Sequence, residues 1–70
     1  MTQVSSKLLK YLQSENSKTG KVNFSITEIF TSSGIDFSGV EMIERAFNEL
    51  EEENLVEKTG YIGGSYRLNS

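Results

Sequence analysis

Residues 37–55 constrain this chain more than any other stretch, because the start, the apolar face and the stop of one helix all fall within them. Ser38-Gly-Val-Glu41 has the spacing of a capping box, in which a serine hydroxyl and a glutamate each satisfy a backbone N–H. Phe37 before it and Met42 after it are placed as a hydrophobic staple. Val40, Ile43, Phe47 and Leu50, with Ala46 alongside, recur at helical spacing and define one apolar face. Asn54 tolerates the left-handed conformation of a residue just past a helix end. Leu50 and Leu55 are then the apolar pair that a Schellman ending brings together. The three signals agree on a helix over residues 39–53.

The rest of the chain is punctuated in the same way. Ser25-Ile-Thr-Glu28 is a second capping box with Phe24 and Ile29 as its staple, and Gly34 is suited to close that helix. This predicts a short helix over 26–33 and a tight turn over 34–37. Towards the N-terminus, Val4, Leu8, Leu9 and Leu12 repeat at helical spacing with Tyr11 beside them. Thr2 or Ser5 can cap this first helix, and the polar run from Ser14 to Gly20 ends it, giving residues 3–15. Val22, Phe24 and Ile26 alternate with Asn23 and Ser25, which predicts a strand over 22–25. Leu55–Thr59 and Ser65–Asn69 flank the loop Gly60-Tyr-Ile-Gly-Gly64 and read as a hairpin over 55–69, with Tyr66 and Leu68 on one face. Such a hairpin is too small to stand alone and must pack on the helices. The expected class is α+β, in one domain spanning residues 1–70.

Composition removes most chemistry. At 70 residues there is room for one small core. The chain has no Cys and no His, so a thiolate nucleophile, an imidazole base, a Cys/His zinc site and a disulfide framework are all excluded. Glutamates on helix surfaces in water keep ordinary acidity and lack a pocket, so no catalytic residue is assigned. Glu51, Glu52 and Glu53 do not converge on a metal, since successive helical side chains diverge by about 100°. The Gly60–Gly64 loop lacks the spacing and following helix of a phosphate-binding loop. The expectation is a non-enzyme without cofactor. With 36% hydrophobic and 24% charged residues the chain has a globular rather than a disordered composition. No apolar run approaches the roughly 18 residues a membrane helix needs. Met1–Leu12 lacks the apolar core of a signal peptide, and with cysteine absent the expected location is the cytoplasm.

Charge is unevenly placed. Ten acids against seven bases give a net −3, mild evidence against unselective coating of nucleic acid. Residues 1–35 hold Lys7, Lys10, Lys18 and Lys21 against Glu15 and Glu28, a balance of +2. Residues 36–70 hold eight acids against Arg45, Lys58 and Arg67, a balance of −5.

The order helix, strand, helix, turn, helix, hairpin resembles the winged-helix family, a three-helix winged helix-turn-helix with a short strand after helix 1 and a C-terminal β-hairpin wing. The resemblance covers nearly the whole chain. It is most specific over Val40-Glu-Met-Ile-Glu-Arg-Ala-Phe-Asn-Glu-Leu-Glu-Glu-Glu-Asn-Leu-Val56, Lys58, the glycine loop and Tyr66-Arg-Leu68, which is similar to the third helix and wing of many bacterial regulators. Asn54 stands where those usually have glycine. The resemblance implies a small DNA-binding transcriptional regulator of bacterial or phage type. Its third helix would enter the major groove and its wing would touch phosphates or the minor groove. The implied contacts to double-stranded DNA are Ser38, Arg45 and Asn48 at the start of and along that helix, Lys58, Tyr61 and Arg67 on the wing, and Lys18 and Lys21 from the first helix and the loop after it. Arg45 and Asn48 have the chemistry to read guanine and adenine edges.

The same architecture also serves as a protein-interaction module. Opposite the apolar face, the third helix presents Glu41, Arg45, Asn48, Glu49 and Glu52, flanked by Glu44 and Glu51. Glu41, Glu49 and Glu52 then form a face for a basic protein partner, or one that itself mimics nucleic acid and occupies a DNA-binding protein. Plainer roles exist for the same residues. Arg45 can pair along the helix with Glu41 and Glu49, the lysines can solubilise their helix, and Tyr61 and Ile62 can fold back on the hairpin. Monomer and homodimer are both compatible with the pattern.

Overall fold

The last strand of the chain lies in the middle of the sheet. The computed structural model describes residues 2–59 and 64–69, in the order α1 (Gln3–Thr19), β1 (Asn23–Ser25), α2 (Ile26–Ser32), α3 (Val40–Glu52), β2 (Val56–Lys58) and β3 (Ser65–Leu68). The strands pair antiparallel in the order β1-β3-β2. This is a small α+β fold of three helices and a three-stranded antiparallel sheet. Phe24 and Lys58 both pair with Tyr66, while Asn23 and Glu57 both pair with Arg67. Because successive side chains point to opposite faces, Phe24, Tyr66, Leu68 and Val56 turn towards the helices and are buried, and Arg67 turns outward.

The helices close over that inner face. Leu8 and Leu12 of α1, Ile26 and Ile29 of α2, and Ile43, Ala46, Phe47 and Leu50 of α3 meet Phe24, Tyr66 and Leu68 in one cluster. Phe47 stacks on Tyr66 with ring centroids 4.1 Å apart and planes 3° from parallel. Tyr11 meets Phe24 edge-on at 6.4 Å.

The helix ends show which local signals hold. Ser25 forms its capping box: its hydroxyl oxygen accepts from the Glu28 N–H at 3.1 Å, and the Glu28 carboxylate accepts from the Ser25 N–H at 3.5 Å. Gly34, at φ +75°, follows the end of α2. The stop of α3 is a Schellman ending: Leu55 N–H donates to the Leu50 carbonyl at 2.9 Å, Asn54 N–H donates to the Glu51 carbonyl at 3.0 Å, and Asn54 sits at φ +61°. Thr2, not Ser5, caps α1, accepting from the Ser5 N–H.

Three expectations are corrected. First, α1 runs to Thr19 instead of stopping at residue 15. Polar residues on an exposed turn do not end a helix, and the end comes only at Gly20, which is left-handed at φ +76° and donates to the Asn16 carbonyl at 2.8 Å. Second, the box expected at Ser38 does not form. Helix α3 begins at Val40 with Gly39 as its N-cap and no side-chain cap, so Ser38 lies one residue too early and Glu41 one residue short. Third, Val40 is 49% exposed instead of belonging to the buried face. That face is centred near Ile43 and Leu50, and at about 100° per residue Val40 lies about 70° from its centre.

Gly64 joins β3 to α2. Its carbonyl accepts from the Ile26 N–H at 3.2 Å, it sits at φ +65°, and a Cβ built there would lie 2.6 Å from Ile26 Cδ1. Gly20 has a similar φ of +76° with open space around it. Gly64→Ala therefore costs the left-handed penalty of about 1–2 kcal/mol plus displacement of a buried isoleucine, whereas Gly20→Ala costs the penalty alone. Urea unfolding of the two variants is expected to rank Gly64→Ala clearly lower in stability; equal losses would contradict the clash.

Candidate functional site

The turn between α2 and α3 determines what α3 exposes. Ser33 Oγ accepts from the Ile35 N–H at 3.2 Å, and Phe37 N–H donates to the Ile35 carbonyl at 3.1 Å. Phe37 is buried and Ile35 half-buried, so the turn is anchored on the core, and Val40, Glu41, Glu44 and Arg45 of α3 stand at the surface. Two adjoining hollows form there. One is lined by Ser38, Gly39, Val40, Glu41, Met42 and Arg45, and the other by Ile26, Thr27, Val40, Glu44, Lys58, Gly64 and Tyr66. Val40 belongs to both, which makes them one surface at the junction of α2, α3 and the β2–β3 pair. Ser38 and Arg45 line the first with Glu41, and Thr27 and Lys58 line the second with Glu44. Glu51, Glu52 and Glu53 lie at the other end of α3.

Of the residues singled out from sequence, Ser38, Arg45 and Lys58 are brought to this surface, and Asn48 is exposed one turn further along α3. The others lie elsewhere. Lys18 shares a separate hollow with Lys7 and Lys10 on α1. Lys21 pairs with Glu28 and stands 5.5 Å from the centre of the Phe24 ring, and the hydrogen bond to Glu28 raises its pKa above the usual lysine value. Arg67 faces outward from the middle strand, paired in register with Glu57 and Asn23. Tyr61 and Ile62 lie outside the described residues. Lys21–Glu28 is the one ion pair among the described residues, so the intrahelical pairs of Arg45 with Glu41 and Glu49 are not made.

Glu49 has a role the sequence did not suggest. It is half-buried, and its Oε1 accepts from the Thr2 N–H at 2.9 Å and from the Ser5 hydroxyl at 2.8 Å. Ser5 is fully buried. One carboxylate thus ties the start of α1 to the middle of α3, and these donors hold its pKa below the usual carboxylate range. Glu41 and Glu52 are exposed, so the acidic face expected from sequence loses one of its three members to the fold. A signal was available: Ser5 falls in the apolar stripe of α1, three residues before Leu8, and a buried hydroxyl requires a partner. The Tyr66 phenol is shifted upward, chiefly by burial, with Glu51 and Glu44 adding to the effect.

Among the described residues no group of three or more acidic side chains is arranged to hold a metal ion, and no helix is long and apolar enough to cross a membrane. No protein-family model matches the chain, and searches of the curated proteins and of the solved structures also find no match.

The Glu49 bonds carry a pH dependence. A carboxyl whose pKa is lower in the folded than in the unfolded chain gives stability that is complete above the unfolded value and is lost as pH falls through the folded one. Unfolding midpoints measured from neutral to acid pH are therefore expected to fall less steeply for Glu49→Gln than for the unaltered protein.

Proposed function

We propose that the chain is a winged-helix protein that binds double-stranded DNA through the first two turns of α3 and the base of the β2–β3 hairpin, acting as a small transcriptional regulator. One observation carries this reading: Arg45 of α3, Ser38 just before it and Lys58 of β2 line two hollows that adjoin at the exposed Val40. Arg45 and Asn48 project from the exposed side of α3, where the first can donate twice to guanine and the second can pair with adenine. The exposed Val40 methyls suit a thymine methyl, while Lys58 and the Thr27 and Ser38 hydroxyls suit phosphate oxygens.

Few cations lie on this surface, so the salt dependence is shallow. Neutralising roughly two to four phosphates gives a slope of about −2 to −4 in log affinity against log salt. In a duplex titration at low salt, Lys58→Ala weakens binding uniformly and reduces the slope by about one, whereas Arg45→Ala reduces discrimination between sequences. Glu41→Gln removes repulsion from phosphate and tightens binding. Absence of any duplex binding at low salt overturns the reading.

A second reading, as an interaction module for a basic protein, is favoured by a different observation. Val40 is 49% exposed and shares its two hollows with Glu41 and Glu44, giving an apolar contact within an acidic surround. Under that reading Glu41→Gln weakens partner binding instead of strengthening duplex binding, so the sign of one substitution separates the two.

A further inference from the structure

The outer face of α1 bears three exposed lysines that the proposed DNA surface does not use. Lys7, Lys10 and Lys18 share an open hollow with Tyr11, Glu15 and Asp36. The hollow is formed by α1 and residues 33–36 alone, and none of its lysines is in an ion pair among the described residues. No residue of α3 lines it. Helices α1 and α3 pack on each other through their apolar sides, so the lysines of one and the acids of the other cannot meet within a single molecule.

Between molecules they can. Lys7 and Lys18 lie eleven residues apart on α1, with Lys10 between them; Glu41 and Glu52 lie eleven residues apart on α3. At about 1.5 Å per residue both rows are about 16.5 Å long. The flanking residues choose a direction. At about 100° per residue, Lys10 lies about 60° to one side of Lys7, and Tyr11 and Glu15 lie about 40° and 80° to the other. On α3, Glu44 and Glu51 lie on the first of these sides relative to Glu41, and Arg45 on the second. When two helices face each other antiparallel, corresponding sides meet. That orientation places Lys7 by Glu52, Lys18 by Glu41, Lys10 by Glu51, and Arg45 beside Tyr11 and Glu15.

We infer that α3 of a second copy lies antiparallel along the lysine face of α1, so that the protein associates head to tail through this contact. The mixed charge of the hollow suits such an occupant, because α3 brings Arg45 to Glu15 along with its glutamates. The two surfaces are different patches of the same chain, so the contact repeats from copy to copy instead of closing on itself by necessity.

Each exposed pair contributes little alone, so association is weak and is read at high protein concentration by sedimentation velocity and light scattering on the whole chain, without DNA. The weight-average mass is expected to rise with concentration at about 10 mM salt and to return to that of one chain at about 1 M, where the screening length falls from about 30 Å to about 3 Å. Lys7→Glu with Lys18→Glu gives a chain with two acidic faces; Glu41→Lys with Glu52→Lys gives one with two basic faces. Each variant alone stays a single chain, and an equimolar mixture of the two associates again. Circular dichroism confirms that both are folded. A wild-type protein that remains single at low salt overturns the inference, as does a mixture that stays apart. Loss of duplex binding by the lysine variant without any change in mass also overturns it and assigns the α1 face to nucleic acid. DNA binding by α3 is measured separately, so the two proposals fail independently.

Discussion

The contact on which the fold depends is the stack of Phe47 on Tyr66. Tyr66 belongs to the strand that, among the described residues, has neighbours on both sides, and Phe47 lies near the middle of α3, which packs on both other helices and on the sheet. Their parallel rings 4.1 Å apart therefore join the two halves of the structure at one point. Among the described residues β1 and β2 each pair with β3 and with no other strand. A strand arriving last in the chain closes a sheet opened more than forty residues earlier, and such non-local pairing forms only if something holds it in place. The aromatic pair does so, adding about 0.5–1.5 kcal/mol beyond the apolar area it buries.

Local devices were legible in the sequence where each was complete within a few residues. The Ser25 box, the turn at Gly34 and the Asn54 ending each involve groups no more than five positions apart, and each forms. The Ser38 box shows the limit of that logic. Its spacing is correct on paper, but the buried anchors Phe37 and Ile43 place the start of α3 at Val40, and the residue pattern then misses by one. The extension of α1 to Thr19 has the complementary cause, since an exposed turn needs no apolar residue and only Gly20 supplies a reason to stop.

The candidate surface was legible in part. Ser38, Arg45 and Asn48 are close in sequence and follow from the phase of one helix. That Lys58 joins them, while Arg67 does not, depends on strand register: Lys58 pairs with the inward-facing Tyr66, and Arg67 is itself the outward residue between them in phase. Period-two alternation alone puts Lys58 and Arg67 on a hairpin without saying which one turns to α3. The Glu49 bonds were hidden for a related reason, because they span 44 and 47 residues and no local pattern encodes them.

The acids of α3 consequently fall into three groups with different causes. Glu49 is structural, since its carboxylate replaces water at the start of α1. Glu41 and Glu44 lie in the same hollows as Arg45 and Lys58 and reduce the net field there to near zero, which favours selective contact over indiscriminate attraction to a polyanion. Glu51, Glu52 and Glu53 sit where the helix dipole opposes them, each position costing a few tenths of a kcal/mol up to about 1 kcal/mol in an isolated helix. Nothing in the packing of the single chain offsets that cost: all three are exposed, and none is in an ion pair among the described residues. A cation supplied from outside the molecule would offset it. In the proposed head-to-tail contact Lys7 and Lys10 of a second copy would supply it to Glu52 and Glu51, and the segregation of charge between the two halves of the chain would then act between molecules.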